Sequence, residues 1–316
     1  MAKKIFIDGA AGTTGLEIRE RLAARPDLNV VQLSDVDRKD VRARKTALND
    51  AGVVILCLPD DAAREAVAMI DNPQVRVIDA STAHRVAPDW AFGFPEYRPE
   101  NYSAIAAARR VTNPGCYATG FIALVAPLIR AGLLPADSAL SVNAVSGYSG
   151  GGKAMIAEFE DKSAPDYTET VVRSYALSLA HKHVPEMTER SGLKHPPVFA
   201  PSVGRYYRGM IVEVPLHLWA LPGSPRGADL RTALADTYRG RPFVEVAGEA
   251  DTASLKTLDA ELLKNTNRMK LYVFANEQTR QARLTAVLDN LGKGASGAAV
   301  QNLNIMLGLA ETTGLT

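Results

Sequence analysis

The opening of the chain constrains its fold more than any other stretch. Lys4-Ile5-Phe6-Ile7-Asp8 is a short apolar run, and Gly9-Ala10-Ala11-Gly12-Thr13-Thr14-Gly15 is a glycine turn. Gly15, Ile18 and Leu22 then recur on one face of a helix expected to reach Arg25, with Pro26 stopping it. Strand, glycine turn and helix, in that order, are the expected start of a parallel sheet that binds a dinucleotide at the carboxyl ends of its strands. The spacing, G-x-x-G-x-x-G, is looser than the strict fingerprint, but its context is the required one. The N–H groups at such a helix start would face a pyrophosphate, so Gly9, Gly12, Thr13, Thr14 and Gly15 are candidate cofactor residues. The pattern then repeats. Residues 30–33 and 75–78 read as strands, 53–58 as a nearly continuous apolar one, and 60–70 as a helix capped by Asp60 or Asp61. Apolar strands alternating with helices imply an α/β, Rossmann-type sheet covered on both faces, with ligands at the carboxyl ends of its strands.

The segment after the second strand bears on which dinucleotide is bound. Asp35 stands where an acidic side chain takes the ribose hydroxyls and favours NAD. Arg38, Lys39, Arg42, Arg44 and Lys45 crowd the same loop and read as a site for a 2′-phosphate. The balance favours NADP (NADPH) over NAD.

Composition excludes several classes. A formal charge of +1 over 316 residues argues against a nucleic-acid partner, whose binders carry a strongly basic stripe. The longest apolar run, 121–129, is too short to span a bilayer. Met1-Ala2-Lys3-Lys4 leads straight into the first strand, which leaves no secretory leader and implies a cytoplasmic protein without a membrane partner. Two distant cysteines, Cys57 and Cys116, form neither a disulfide framework nor a zinc quartet.

One of those cysteines is placed for chemistry. In Asn113-Pro114-Gly115-Cys116-Tyr117 the Pro-Gly turn precedes a helix whose apolar face is Tyr117, Phe121, Leu124 and Leu128, with Pro127 expected to end or kink it. A thiol in that first turn meets the positive end of the helix dipole, which favours thiolate. Cys57, inside an apolar strand, reads as buried. Partners for a catalytic thiol come from His181-Lys182-His183-Val184-Pro185-Glu186, where Glu186 could orient an imidazole. H-x-H-x-x-E lacks the helical spacing of a zinc site, so no metal is expected. Gly147 to Ala154 matches a phosphate loop until Ala154 replaces the magnesium-binding hydroxyl. It reads equally as a flexible linker or as a backbone nest for one substrate oxyanion.

Beyond Cys116 the organisation changes. Met210, Val212, Val214, Leu216 and Leu218 alternate with polar or smaller neighbours, and 140–145, 271–274 and 284–288 continue the strand pattern without intervening helices. This describes an α+β domain with a mixed or antiparallel sheet, one face of which would meet a second subunit or a helix layer. Val300, Leu303, Leu307 and Ala310 form a closing helix expected to return to the first domain. The expected division is 1–115 plus 291–316 for the dinucleotide domain and 116–290 for catalysis and oligomerisation.

Six blocks together carry a resemblance. They are the glycine turn; Val77 to Arg85; Val111 to Gly120, which holds Asn-Pro-Gly-Cys-Tyr; Ser146 to Lys153; His181 to Glu186; and Leu288-Asp289-Asn290-Leu291-Gly292-Lys293-Gly294-Ala295-Ser296-Gly297. Nearly end to end, the chain resembles the N-acetyl-γ-glutamyl-phosphate reductases, in the shorter of that family's two forms. Aspartate-semialdehyde dehydrogenases share the architecture and the closing block, but usually set their cysteine without Pro-Gly before it. The chain departs from the common pattern in having Thr13-Thr14 where an aromatic often stands and Ala83-His84 before Arg85 where an aromatic usually precedes the arginine. The resemblance implies arginine biosynthesis, with Cys116 as the acylated nucleophile and His181 or His183 as acid/base. It places Ser81, Asn290, Lys293 and Gly294 at the cofactor, and Arg85, Arg109, Asn113, Ser149, Gly150, Lys153 and Arg208 at a small acyl-phosphate substrate. A homodimer or homotetramer is expected. The alternatives are a related acyl-phosphate reductase with another substrate, a thiol acyl-transferase or amidase without cofactor, and a non-catalytic dinucleotide sensor.

Overall fold

The computed structural model describes residues 2–316. In its first part the chain forms β1 (Lys3–Asp8), α1 (Thr13–Leu22), β2 (Leu28–Val31), α2 (Val41–Asp50), β3 (Val53–Leu56), α3 (Asp60–Ala68), β4 (Arg76–Asp79), β5 (Ala91–Phe92), α4 (Asn101–Ala107) and β6 (Arg110–Thr112). There follow α5 (Cys116–Arg130), β7 (Ser141–Gly147), α6 (Gly152–Glu160), β8 (Val172–Ser174), α7 (Val184–Ser191), β9 (Val198–Gly204) and β10 (Met210–His217). The last elements are α8 (Gly227–Tyr238), β11 (Val244–Val246), α9 (Glu249–Ser254), β12 (Met269–Asn276), β13 (Gln281–Leu288) and α10 (Gly297–Met306).

Two compact units result. One runs to Pro95, resumes over Pro99–Pro114 and takes in Ala295–Thr316; the other comprises Gly115–Gly294 together with Glu96–Arg98. The first holds a six-stranded sheet in the order β2-β1-β3-β4-β6-β5, every pairing parallel. Ile5, Ile7, Val53, Ile55, Ile78 and Val111 pack on one face against Ile18 and Leu22 of α1 and Ala299, Val300 and Leu303 of α10. Phe6, Val54, Leu56 and Val77 face the other way onto Leu48, Ala63 and Ala66. Helices thus cover both faces, as the continuous apolar strands require. Strand order reverses between β1 and β3, and a cleft for a ligand opens at such a switch point.

The second unit is built on a seven-stranded mixed sheet, β11-β12-β13-β10-β7-β9-β8. β12, β13, β10 and β7 pair antiparallel in turn, while β7/β9 and β11/β12 are parallel. Along β10 the buried positions are Met210, Val212, Val214 and Leu216, the alternation read from the sequence. Glu96–Arg98 joins this unit because Glu96 is ion-paired with Lys293 and the Tyr97 hydroxyl donates to the Arg190 carbonyl at 2.5 Å.

Several local expectations are corrected. α1 ends at Leu22, short of Pro26. Asp60 and Asp61 do not cap α3: Pro59 is its N-cap, the Asp60 carboxylate binds the N–H and hydroxyl of Thr82, and Asp61 pairs with Arg64. The glycine run is no flexible linker, since 148–151 make one tight helical turn that feeds directly into α6. α5 continues through Pro127 to Arg130. A proline there supplies no N–H to the carbonyl of Ala123, one turn earlier. The Tyr238 hydroxyl, on α8, donates to that carbonyl at 2.8 Å and replaces the missing bond.

Tyr238→Phe should leave this buried carbonyl without its donor, at a cost of about 1–3 kcal/mol. Urea unfolding should show a lower midpoint with unchanged slope, and an unmoved midpoint would mean that the hydroxyl does not support the helix.

Candidate active site

In the first unit the glycine turn has the shape of a phosphate cradle. Gly9 has φ +88°, and a Cβ on it would stand 2.3 Å from the Cys57 carbonyl oxygen at the end of β3, so a side chain is excluded on both counts. Gly12 caps α1 without any side-chain hydrogen bond, leaving the first-turn N–H groups of Thr13, Thr14 and Gly15 directed outward without intrahelical partners. Asp35 is exposed and ion-paired with Arg38 at 3.3 Å. Arg44 and Lys45 are corrections to the proposed 2′-phosphate cluster. Arg44 Nε is 2.8 Å from Asp8, whose carboxyl is raised above the ordinary range chiefly by burial, and Lys45 pairs with Asp71 at 2.7 Å. Arg38, Lys39 and Arg42 remain exposed.

At the end of β4 the buried carboxylate of Asp79 organises the next loop. Its oxygens accept the N–H of Ser81 at 2.9 Å and the Ser81 hydroxyl at 2.7 Å, and Oδ2 meets His84 Nδ1 at 2.6 Å. Arg85 follows, 7% exposed, with a guanidinium nitrogen 3.3 Å from the Ala80 carbonyl. Asn113, also buried, donates to the Ala295 carbonyl at 2.9 Å and accepts from Asn302 at 3.1 Å, so its amide braces this unit. Arg109 is misplaced as a substrate residue. It precedes β6, and its side chain donates to the carbonyls of Val75 and Asn72 at 3.2 and 3.1 Å, at the amino ends of the strands and opposite the glycine turn.

In the second unit Cys116 is the first residue of α5 and is partly exposed, whereas the rest of the helix through Leu128 is buried. Gly115 caps the helix with no side-chain bond of its own, and its N–H is held by both carboxylate oxygens of Glu186, at 3.0 and 3.3 Å. Glu186, expected to orient an imidazole, therefore grips the turn that carries the cysteine. Gly294 closes the other side: a Cβ there would lie 2.7 Å from Cys116 Cβ. Cys57 offers no competing nucleophile, because burial, with the charges of Asp79 and Asp8 adding to it, pushes its thiol up to about 12.

His181 and His183 lie together, ring centroids 4.7 Å apart and nearly perpendicular. The amide of His183 donates to His181 Nδ1 at 3.1 Å. An amide nitrogen can only donate, so the neutral ring of His181 carries its proton on Nε2. Tyr117, Tyr175 and Phe199 enclose this ring at 6.0, 5.8 and 5.1 Å. Tyr175 escaped the sequence reading. Its hydroxyl donates to that of Tyr117 at 3.0 Å, and burial, then the Cys116 charge, raises its own pKa to about 12, keeping it a neutral donor. It sits in an irregular loop and is placed by an N–H bond to the Pro201 carbonyl, so no periodic signal marks it.

The remaining predicted residues of this unit divide. Asn290 accepts from the Gly209 N–H at 2.8 Å and donates to the Ser149 hydroxyl at 2.9 Å, which makes both residues braces. Gly150 and Lys153 are exposed beside that contact. Arg208 lies 2.8 Å from the fully buried Asp289. Lys293, expected beside the cofactor, is instead 1% exposed and bonded to both oxygens of Glu96 at 2.8 and 2.9 Å, so its ammonium does not face a ligand.

Two family models match: "Semialdehyde dehydrogenase, NAD binding domain" over residues 4–105 and "Semialdehyde dehydrogenase, dimerisation domain" over 116–290. The chain is 54% identical over 309 residues to N-acetyl-gamma-glutamyl-phosphate reductase of Brucella anthropi, covering 98% of this chain and 99% of that one. It is 50% identical over 321 residues to the enzyme of the same name from Trichormus variabilis, covering 99% of both. The chain belongs to the N-acetyl-γ-glutamyl-phosphate reductase family. Among solved structures, aspartate semialdehyde dehydrogenase II of Vibrio cholerae superposes with a TM-score of 0.70 at 14% identity, covering 97% of this chain and 98% of that one. The aspartate semialdehyde dehydrogenase of Candida albicans, solved with NADP, gives 0.66 at 13%, covering 97% and 99%. At those identities the likeness concerns the fold, and it confirms the α/β architecture. A reductase of this family binds a nicotinamide dinucleotide in the first unit, and its second unit is a dimerisation domain. Among the described residues no helix is long and apolar enough to cross a membrane.

Iodoacetamide near neutral pH should label Cys116 and spare Cys57, so that Cys116→Ser abolishes labelling and Cys57→Ser leaves it intact. Glu186→Ala removes the acceptor of a buried N–H and should cost about 1–3 kcal/mol of stability while slowing that labelling, whereas Glu186→Gln, which keeps an oxygen in place, should retain most of both. Equal labelling rates in the two Glu186 variants would show that the carboxylate does not position the cysteine.

Proposed function

We propose that the protein reduces N-acetyl-γ-glutamyl phosphate to N-acetyl-L-glutamate 5-semialdehyde and phosphate with NADPH, through a thioester on Cys116. What supports this reading most is Cys116 at an uncapped helix start, gripped through Gly115 by Glu186, with the next residue, Tyr117, against the rings of both His181 and His183, in a chain about half identical to reductases of that name.

The glycine turn and the first-turn N–H groups of α1 would hold the pyrophosphate, with Arg38 and Arg42 left exposed to meet a 2′-phosphate. Bound NADPH supplies hydride. The Cys116 sulfur attacks the acyl carbon, the bond from that carbon to the phosphate oxygen breaks, and phosphate leaves with the electron pair. After reduction the tetrahedral oxyanion collapses to aldehyde and releases the sulfur as thiolate, so the nucleophile is regenerated without a further base. Charge on the carbonyl oxygen is met by the N–H groups at the start of α5 and by Nε2–H of His181, both preset before reaction. The departing phosphate takes up the one proton that the overall reaction consumes. With His181 held as a donor, that delivery falls to His183. Substrate phosphate and carboxylate need cations, for which Arg85 of the first unit and Lys153 and Arg208 of the second are the candidates, with Gly150 exposed beside the Ser149 brace. A homodimer would form through the outward sheet face that bears Asn143, Ala200 and Ile211.

The test is the reverse reaction: N-acetyl-glutamate semialdehyde, phosphate and NADP should give NADPH, with strict dependence on phosphate. Cys116→Ser should lose about a thousandfold or more in kcat, and the wild type mixed with acyl phosphate but no NADPH should gain one acyl mass on Cys116. A folded wild type that turns over no aldehyde with phosphate and either dinucleotide would refute the reading.

A further inference from the structure

The sequence places histidine, rather than an aromatic, immediately before Arg85, and nothing in the reaction just described uses it. The structure shows what it does there. His84 is held on two sides by groups of its own unit. Its Nδ1 lies 2.6 Å from the Oδ2 of Asp79, a carboxylate with no solvent exposure, and its ring stacks on the 4%-exposed Trp90 with centroids 4.2 Å apart and planes 14° off parallel. Trp90 is covered on its own account by the Arg110 guanidinium, 5.8 Å from the ring, and Arg110 is tied to Asp89 at 3.1 Å. The chain between Asp79 and His84 is clamped as well, since Ser81 binds Asp79 and Thr82 binds Asp60 through both its N–H and its hydroxyl. The Ser81 hydroxyl donates to the carboxylate and not to the imidazole, so the three residues do not form a nucleophilic serine relay.

We propose that His84 is a positioning residue for substrate binding. Its edge bond to Asp79 and its face contact with Trp90 set the path of the backbone into Arg85, and through Arg85 the affinity for the acyl-phosphate substrate. This rests on the reading of Arg85 as a substrate contact. The physical requirement is specific. Asp79 is buried with only short-range donors from the 79–84 loop to balance it, so the loop keeps its shape while the third donor, the imidazole N–H, stays on that oxygen. A phenylalanine at the same place would keep the stack on Trp90 and remove the donor. Residue 84 would then be held by its face alone, beyond the clamps at Ser81 and Thr82, and Arg85, one residue on, would lose its fixed starting point. The glycine turn lies on a different loop of the unit, and Ser81 keeps its own two bonds to Asp79 when the imidazole is removed, so cofactor affinity should follow far less than substrate affinity.

Steady-state kinetics of the whole enzyme test this. His84→Phe should raise KM for the acyl phosphate about tenfold with kcat within about twofold, leave the Kd for NADPH within about twofold and leave the melting temperature close to wild type. His84→Asn carries an amide N–H near the place of Nδ1–H and should return KM to within about threefold of wild type. Arg85→Lys should raise KM alone, and the double variant with His84→Phe should fall short of the product of the single effects, as residues acting through one contact do. Full multiplicativity, or an unmoved KM in either single variant, overturns the proposal. So does a His84→Phe enzyme that loses kcat and thermal stability together without a selective KM effect, because that is a folding defect. A wild type without reductase activity would sink the functional reading itself. A normal wild type with an unmoved His84→Phe sinks only the role given to His84.

Discussion

The N–H of Gly115 bound by the carboxylate of Glu186 is the contact on which the placement of Cys116 depends. Helix α5 starts one residue later, and its first residue is Cys116, the proposed nucleophile. Without an outside acceptor, the peptide at Gly115 would be a buried donor with no partner, and the Pro-Gly turn that precedes it would have no fixed direction. The acceptor comes from α7, seventy-one residues further along. The same helix start must serve two anions, Glu186 and the cysteine sulfur, and the geometry separates them. The carboxylate takes the cap N–H from the buried side, and the first-turn N–H groups are left without a side-chain cap, available to the sulfur and to the proposed oxyanion.

Buried charge is used repeatedly to brace loops that carry function. Glu96 and Lys293, 0% and 1% exposed, tie the short 96–98 excursion and the 289–294 turn into one unit, and Gly294 at the end of that turn presses on Cys116. Asp289 binds Arg208 and the N–H groups of Asn265 and Leu291, and Asp79 binds Ser81 and His84. Each carboxylate sits at or just beyond the end of a strand, where the chain leaves regular pairing and its shape must come from side chains. Pairs of this kind contribute modest net stability compared with apolar packing. What they supply is a unique arrangement, since a loop that shifts leaves an ion unmatched in a dry interior.

Much of the architecture was legible because it is written in local periodicity. The alternation along Met210 to Leu216, the continuous apolar run of β3 and the glycine turn after β1 each report burial within a few residues of themselves. The errors have a common origin. Pro127 was expected to end or kink α5, yet the helix runs on to Arg130 and Tyr238 on another helix supplies the missing hydrogen bond; Asp60 or Asp61 was expected to cap α3, yet Thr82 offers Asp60 two donors and Asp61 pairs with Arg64. Lys293 and Arg44 have the composition of ligand-binding residues, and both are matched by carboxylates far away in sequence. Tyr175 lies in an irregular loop, so its place beside His181 could be seen only in three dimensions.

The amino-acid sequence by itself determined the class of each sheet, the location of the glycine turn, the family and the cysteine at a helix start, because these depend on residue type and on spacings shorter than one element. Tertiary structure decided which polar groups brace the fold, the proton position on His181 and the grip of Glu186 on the cysteine turn. Those depend on which donor meets which acceptor across tens to hundreds of residues. Only the packed chain, which leaves few buried polar groups without a partner, makes that choice.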